Sequence, residues 1–336
     1  MRNILLSFIL FFVSFFCYGQ QMPSKMELKK KYESSNIIKE SHKGLASTNV
    51  YPDSIVLSPI HYVNTSFSLT SSSPVIDLDS ISVDIEIKTK VPNDYKLFIA
   101  PFSCYINTIP FYAGIQTAAG GRKKGSTSDL SIGRGGIFSR WMERDTNAIK
   151  TDGYYSSSDG EGDFISVRDS FIWDRGTYRI TIKKGGHIDG KPLKGSFSLK
   201  ELSFIWGEYE HTWAEMIVED LGNGKKKKIG SLAFPGPKLL MSSNNILFLE
   251  YYGDPINYSL QRKVKGSVFF GDLPGLKIIM KNVIVNGKSI LPLNVKHHIN
   301  ETFNPEQKKI AMPLPVMVEA KETVEPWEIN YFIGKK

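Results

Sequence analysis

The clearest signal along the chain is a period of two. Ile81, Val83, Ile85 and Ile87 alternate with Ser82, Asp84, Glu86 and Lys88, the pattern of a strand with one buried and one wet face. Tyr178, Ile180 and Ile182 repeat it against Arg179, Thr181 and Lys183. Alternation of this kind belongs to antiparallel sheets, because parallel strands are covered on both sides. Further runs predict strands at 60–70, 95–102, 109–117, 136–142, 197–205 and 211–220, and then at 228–234, 246–252, 266–270 and 276–285. Asn286-Gly287, set between Val283-Ile284-Val285 and Ser289-Ile290-Leu291, predicts a two-residue hairpin turn. Beyond about residue 50 no window sustains a helical period. A dozen or more short strands with Gly- and Pro-rich joins predict an all-β fold, an antiparallel β-sandwich of jelly-roll type. Residues 51–291 read as one such domain without internal repeats, and 292–336 as a Pro-studded extension that forms added strands or a tail.

The first residues follow a different rule. Arg2, an apolar run from Ile4 to Val13 with Phe15 and Phe16, and Cys17 and Gly19 flanking Tyr18 make a signal peptide at 1–19. That run is too short for a membrane span of about 20 residues. Residues 20–50 read as a polar tether with a short helix near 24–34, where Ser24 is a candidate N-cap. The expected location is therefore the periplasm or the extracellular space. Loss of Cys17 with the signal leaves Cys104 as the sole cysteine, so stability must come from a core, and Cys104 reads as an apolar filler.

A formal charge of +8 is spread along the chain. Its one dense run, Lys225 to Lys228, follows Gly222-Asn223-Gly224 and reads as the solvated start of a hairpin's second strand. Export makes nucleic acid an unsuitable partner. It also argues against reading Gly120 to Thr127 as a phosphate-binding loop, which in any case lacks the Lys before the Ser/Thr. Residues 118–136 read instead as a long surface loop.

Three candidate constellations remain. Asp159, Glu161 and Asp163 place carboxylates two apart, a spacing open to calcium, although Phe164 and Ser170 break the EF-hand pattern and a glycine-rich turn explains the same residues. His211, Trp213 and Glu215 alternate with Thr212, Ala214 and Met216 and are expected to point outward, where an aromatic ring beside hydrogen-bonding groups suits a sugar. Glu250 with Tyr252 forms a similar pair. Gln116 and Arg140 lie on strands flanking the long loop and would meet if they share a face.

Tyr112-Ala-Gly-Ile-Gln116, Ile137-Phe-Ser-Arg-Trp141, Gly160-Glu-Gly162 and Trp173 with Gly176-Thr-Tyr178 occur in an order that resembles a secreted bacterial family, domain of unknown function 3472. Trp213, Ile229-Gly-Ser-Leu232 and Leu247-Phe-Leu-Glu250 follow similarly, so the likeness covers about residues 80–252. Arg140 departs from it by standing where a hydrophobic residue is usual before the Trp. The resemblance implies a concanavalin-like β-sandwich in carbohydrate-linked settings and no catalytic residues. The expectation is a glycan-binding protein with no cofactor other than calcium, using Trp213, His211, Glu215, Gln116, Arg140, Tyr112 and Glu250. The alternatives are a polysaccharide lyase or glycoside hydrolase on the same fold, and a structural envelope protein.

Overall fold

The computed structural model describes residues 55–56, 60–93, 95–157, 163–192, 207–252, 256–257, 275–299 and 317–334. The predicted signal segment and tether, and the strands predicted at 197–205 and 266–270, lie outside the described residues.

In chain order the strands are β1 (Ile55–Val56), β2 (Ile60–Ser68), β3 (Val75–Asp77), β4 (Ser80–Ile87), β5 (Leu97–Ile106), β6 (Ile109–Gly121) and β7 (Leu130–Trp141). Next come β8 (Ile149–Lys150), β9 (Tyr154–Ser157), β10 (Phe164–Ser170), β11 (Gly176–Ile188), β12 (His211–Asp220), β13 (Lys226–Pro235) and β14 (Leu240–Ser242). The series closes with β15 (Asn244–Tyr251), β16 (Ile256–Asn257), β17 (Leu276–Val285), β18 (Lys288–Ser289), β19 (Leu293–Ile299), β20 (Met317–Val324) and β21 (Trp327–Gly334). Every pairing between them is antiparallel.

Ten strands form one sheet in the order β19-β2-β15-β5-β6-β7-β10-β9, with β14 and β3 at its side. Nine form the other in the order β20-β21-β17-β4-β11-β12-β13-β8, with β18 beside β17. The two sheets make the chain an all-β antiparallel β-sandwich. Alternation decides which side chains enter it. Ile81, Val83 and Ile85 of β4 and Ala214, Met216 and Val218 of β12 are fully buried, as their period demands. Phe111 and Phe138 of the larger sheet meet Phe234 of the smaller, with ring centroids 6.3 and 6.4 Å from it. Each such ring contributes about 1.5–3 kcal/mol by leaving water.

Where glycine replaces a side chain, the layers approach more closely. A Cβ on Gly136 would lie 2.6 Å from the Ile229 side chain of the opposite sheet, so β7 and β13 touch there because Gly136 has none. The Asn286-Gly287 turn forms as predicted, with φ of 48° and 75° and Val285 opposite Lys288. The lysine run likewise opens β13, where Lys226 stands opposite Glu219. Cys104 is buried in the core, and burial pushes its thiol pKa well above the usual range.

The long loop predicted at 118–136 is shorter. Strand β6 runs on to Gly121 and β7 begins at Leu130, joined by 122–129. Small residues that read as loop in sequence continue the ladder here through register shifts, with Ala119 opposite Gly133 and Gly133 at φ 74°.

Candidate functional site

On the ten-stranded sheet, Tyr112, Gly114 and Gln116 of β6 alternate with Phe111, Ala113 and Ile115, which lie in the core. The first set therefore points away from the opposite sheet. Register extends this outer face across four strands in a row. Gln116 on β6 stands opposite Phe98 on β5, Phe98 opposite Glu250 on β15, and Glu250 opposite His61 on β2. One residue pair along, Phe248 stands opposite Ala100, and Tyr112 opposite Ser139.

These residues form an apolar cluster distinct from the main core. Phe98, Ala100 and Phe248 are buried, with Tyr112 and Tyr252 packed against them. Tyr112 makes edge contacts with Phe98 at 5.5 Å and with Trp141 at 5.0 Å between centroids. His61 packs on Phe248 at 4.8 Å. Polar groups border these rings. His61 Nε2 lies 3.2 Å from Glu250 Oε2, and its Nδ1 lies 2.7 Å from Asn64 Oδ1. Burial works against a charge on His61, but the hydrogen bond and charge of Glu250, with Asn64, outweigh it and raise the pKa. The Tyr252 hydroxyl accepts a 2.8 Å hydrogen bond from the Ala118 N–H, and burial raises its pKa. Ser139 donates to Ser166 at 2.7 Å, and Arg168 donates to Ser166 and to the Gly120 carbonyl.

The outer face of the nine-stranded sheet has another character. Several of its outward positions hold opposite charges paired with one another. Arg179 grips Asp84 through two hydrogen bonds of 2.6 and 2.8 Å, and Lys281 meets Glu86 at 2.6 Å. Lys228 and Lys183 meet Glu215 at 2.6 and 3.4 Å. Burial works against the charge on Glu215, but the two lysines hold its pKa below the usual range. This face is a ladder of ion pairs whose charges are already committed to one another.

The seven nominated residues thus divide between two faces and the core. Gln116, Tyr112 and Glu250 share the outer face of the larger sheet. Glu215 belongs to the ion-paired face of the smaller one. Trp213 and His211 were expected to be exposed side by side; they are neighbours, 5.6 Å apart, but both are 5% exposed. Trp213 is covered by Lys150, whose Nζ lies 3.9 Å from the ring centroid, so it offers no open ring for a ligand. Arg140 does not share a face with Gln116. It stands opposite Phe111 and Ile165, both core residues, and lies over Phe234 with 1% of its surface exposed. Its Nη2 donates to Glu143 Oε2 at 3.0 Å, while Glu143 Oε1 accepts from the Arg144 and Asp145 N–H groups. Burial pushes the Arg140 pKa down to about 10, against the pull of Glu143.

Of the calcium candidates, Asp159 and Glu161 lie outside the described residues, and Asp163 forms an ion pair with Arg144. Sequence reasoning passed over His61, Phe98, Trp141 and Phe248. Trp141 carried a usable signal, since it shares its parity with Ser139 and differs from Phe138 and Arg140 by one residue.

The fold and this aromatic face define an antiparallel β-sandwich whose two outer surfaces are chemically unlike. No family model and no curated protein matches the chain. Among solved structures it is similar to scytalido-glutamic peptidase with a peptide-based transition-state analog, at 10% identity and a TM-score of 0.37 over 82% of this chain and 98% of that one. It is also similar to SCP-B, a member of the eqolisin family of peptidases, in complex with the tripeptide Ala-Ile-His, at 11% identity and a TM-score of 0.33 over the same shares. Likeness at that level assigns no activity.

Proposed function

We propose that the outer face of the ten-stranded sheet binds carbohydrate in an exported protein. Tyr112 and Trp141 supply apolar ring surface for a sugar, and Gln116 and Glu250 supply hydrogen bonds to its hydroxyls. The observation that carries this reading is the row Gln116–Phe98–Glu250–His61, in which polar groups alternate with a buried ring on a sheet face away from the core. The opposite face supports it by contrast, because Asp84, Glu86 and Glu215 there are held in ion pairs. Screening the secreted protein on an array of bacterial, plant and animal glycans tests the proposal. Saturable binding to a set sharing one sugar unit is expected; an array with no binder at all contradicts it.

A second reading, a polysaccharide lyase on the same face, draws on the His61–Glu250 pair. That pair can hold and release a proton, and Gln116 and Arg168 supply groups able to steady a developing anion. A two-carboxylate hydrolase fits less well. Among the described strand positions in that row, Glu250 is the only carboxylate. Release of unsaturated sugar ends from a bound polysaccharide, lost in His61→Ala, distinguishes the lyase from simple binding.

A further inference from the structure

We propose that His187, Asp189 and Glu210 form a binding site for a divalent transition-metal ion at the far end of β11. The site lies apart from the aromatic face and is independent of its function. Nε2 of His187 lies 3.2 Å from Asp189 Oδ1 and 3.4 Å from Glu210 Oε1. One ligand atom from each of the three residues falls within 4.8 Å of the others. A tetrahedral ion with ligand bonds of about 2.0–2.1 Å has edges of about 3.3–3.4 Å between its donor atoms. These separations match the edges between donor atoms around one ion, and the shortest of them, His187 Nε2 to Asp189 Oδ1, is also within direct hydrogen-bond reach.

The surrounding fold presets this geometry. His187 stands directly opposite Thr212 across a β-bulge between Lys184 and His187, and its Nδ1 lies 3.2 Å from the Thr212 hydroxyl. That hydroxyl, fully buried, donates its own hydrogen to the Gly236 carbonyl at 2.8 Å. Its oxygen is therefore an acceptor toward His187, which places the imidazole proton on Nδ1. With Nδ1 engaged by Thr212, Nε2 is the ring nitrogen that faces the two carboxylates and that an ion would take. Glu210 is fixed through its backbone, its carbonyl accepting from Gly236 N and its N–H donating to the Lys191 carbonyl. Gly190 brings Asp189 in, since a Cβ there would lie 2.5 Å from Glu210 N. The nearby ammonium of Lys191 is paired with Glu208 at 2.7 Å. Among the described residues no Lys or Arg ion pair reaches Asp189 or Glu210. One imidazole with two carboxylates carries two negative charges, which a dication neutralises, and the nitrogen donor favours zinc, copper or nickel over calcium.

Titration calorimetry of the full secreted chain with zinc chloride at neutral pH tests the proposal, with calcium chloride as the contrasting ion. Expected is one saturable zinc site per chain, weakened at least tenfold in Asp189→Asn and lost in His187→Ala. Asp189 is fully exposed, so that variant leaves folding intact and keeps the test decisive if His187→Ala is unstable. Thr212→Val is expected to weaken zinc binding about 10- to 100-fold through loss of the imidazole's orientation. Absence of saturable zinc binding, preference for calcium, or equal affinity in wild type and Asp189→Asn overturns it.

Discussion

Gln116 and Glu250 stand opposite the same residue, Phe98, from its two sides, so an amide and a carboxylate flank one buried ring on the outer face of the ten-stranded sheet. Two strand spacings separate their backbones, about 10 Å. The half-buried aromatics around that ring belong to neither the main core nor a charged surface, and this sets the face apart as a place for a ligand.

The His61–Glu250 pair gives the protein a pH dependence of definite sign. Unfolded histidine titrates at about 6.5, and folding raises the His61 value. The pair's stabilisation is therefore complete below the unfolded value and is lost as pH rises through the higher, folded one. Glu250→Gln removes the main cause of the shift. Following the His61 ring protons by NMR, a lower titration midpoint is expected in the variant; an unchanged midpoint contradicts the pairing.

Arg140 and Glu143 form an ion pair buried between the sheets, each 1% exposed at the side chain. Glu143→Gln takes the counter-charge from a buried guanidinium and is expected to lower stability by about 3–5 kcal/mol in urea denaturation. Combining it with Arg140→Met removes the buried cation as well and is expected to recover part of that loss. A double variant less stable than the single one contradicts the explanation.

Gly114 sits on the proposed face where β6 crosses the bulge in β5. A Cβ there would lie 2.1 Å from the Ile99 carbonyl oxygen, which is backbone and has nowhere to move. Gly114→Ala is expected to cost about 1–3 kcal/mol or more. Gly186→Ala, with nothing within 4 Å of its Cβ, is expected to stay within about 0.5 kcal/mol of the parent. Equal thermal midpoints for the two variants would falsify the packing at β5–β6.

Much of the fold was legible because it rests on alternation. Strands β12 and β17 begin and end where the period of two predicted, and the Asn286-Gly287 turn followed from its positive φ angles. The candidate site was legible only in part. The sequence named Gln116 and Tyr112 without assigning them a face, and alternation cannot say what covers a residue once it points outward. Trp213 shows this, since it has outward parity but lies beneath Lys150. Arg140 shows the converse, a charge at a core position, stable there because Glu143, three residues on, turns back to meet it. The row joining Gln116 to His61 depends on β15, which pairs with both β5 and β2 from more than 140 residues along the chain, and no local pattern encodes that adjacency.

The location of the ligand-binding face is tested most directly by titrating the best array glycan into four forms of the protein: the parent, Tyr112→Ala, Gln116→Ala and Trp213→Ala. Loss of at least tenfold in affinity is expected for Tyr112→Ala and Gln116→Ala, about 1.4 kcal/mol or more each, with Trp213→Ala binding as the parent does. Full affinity in Tyr112→Ala and Gln116→Ala, with binding abolished in Trp213→Ala, would contradict the assignment and place the ligand on the other sheet.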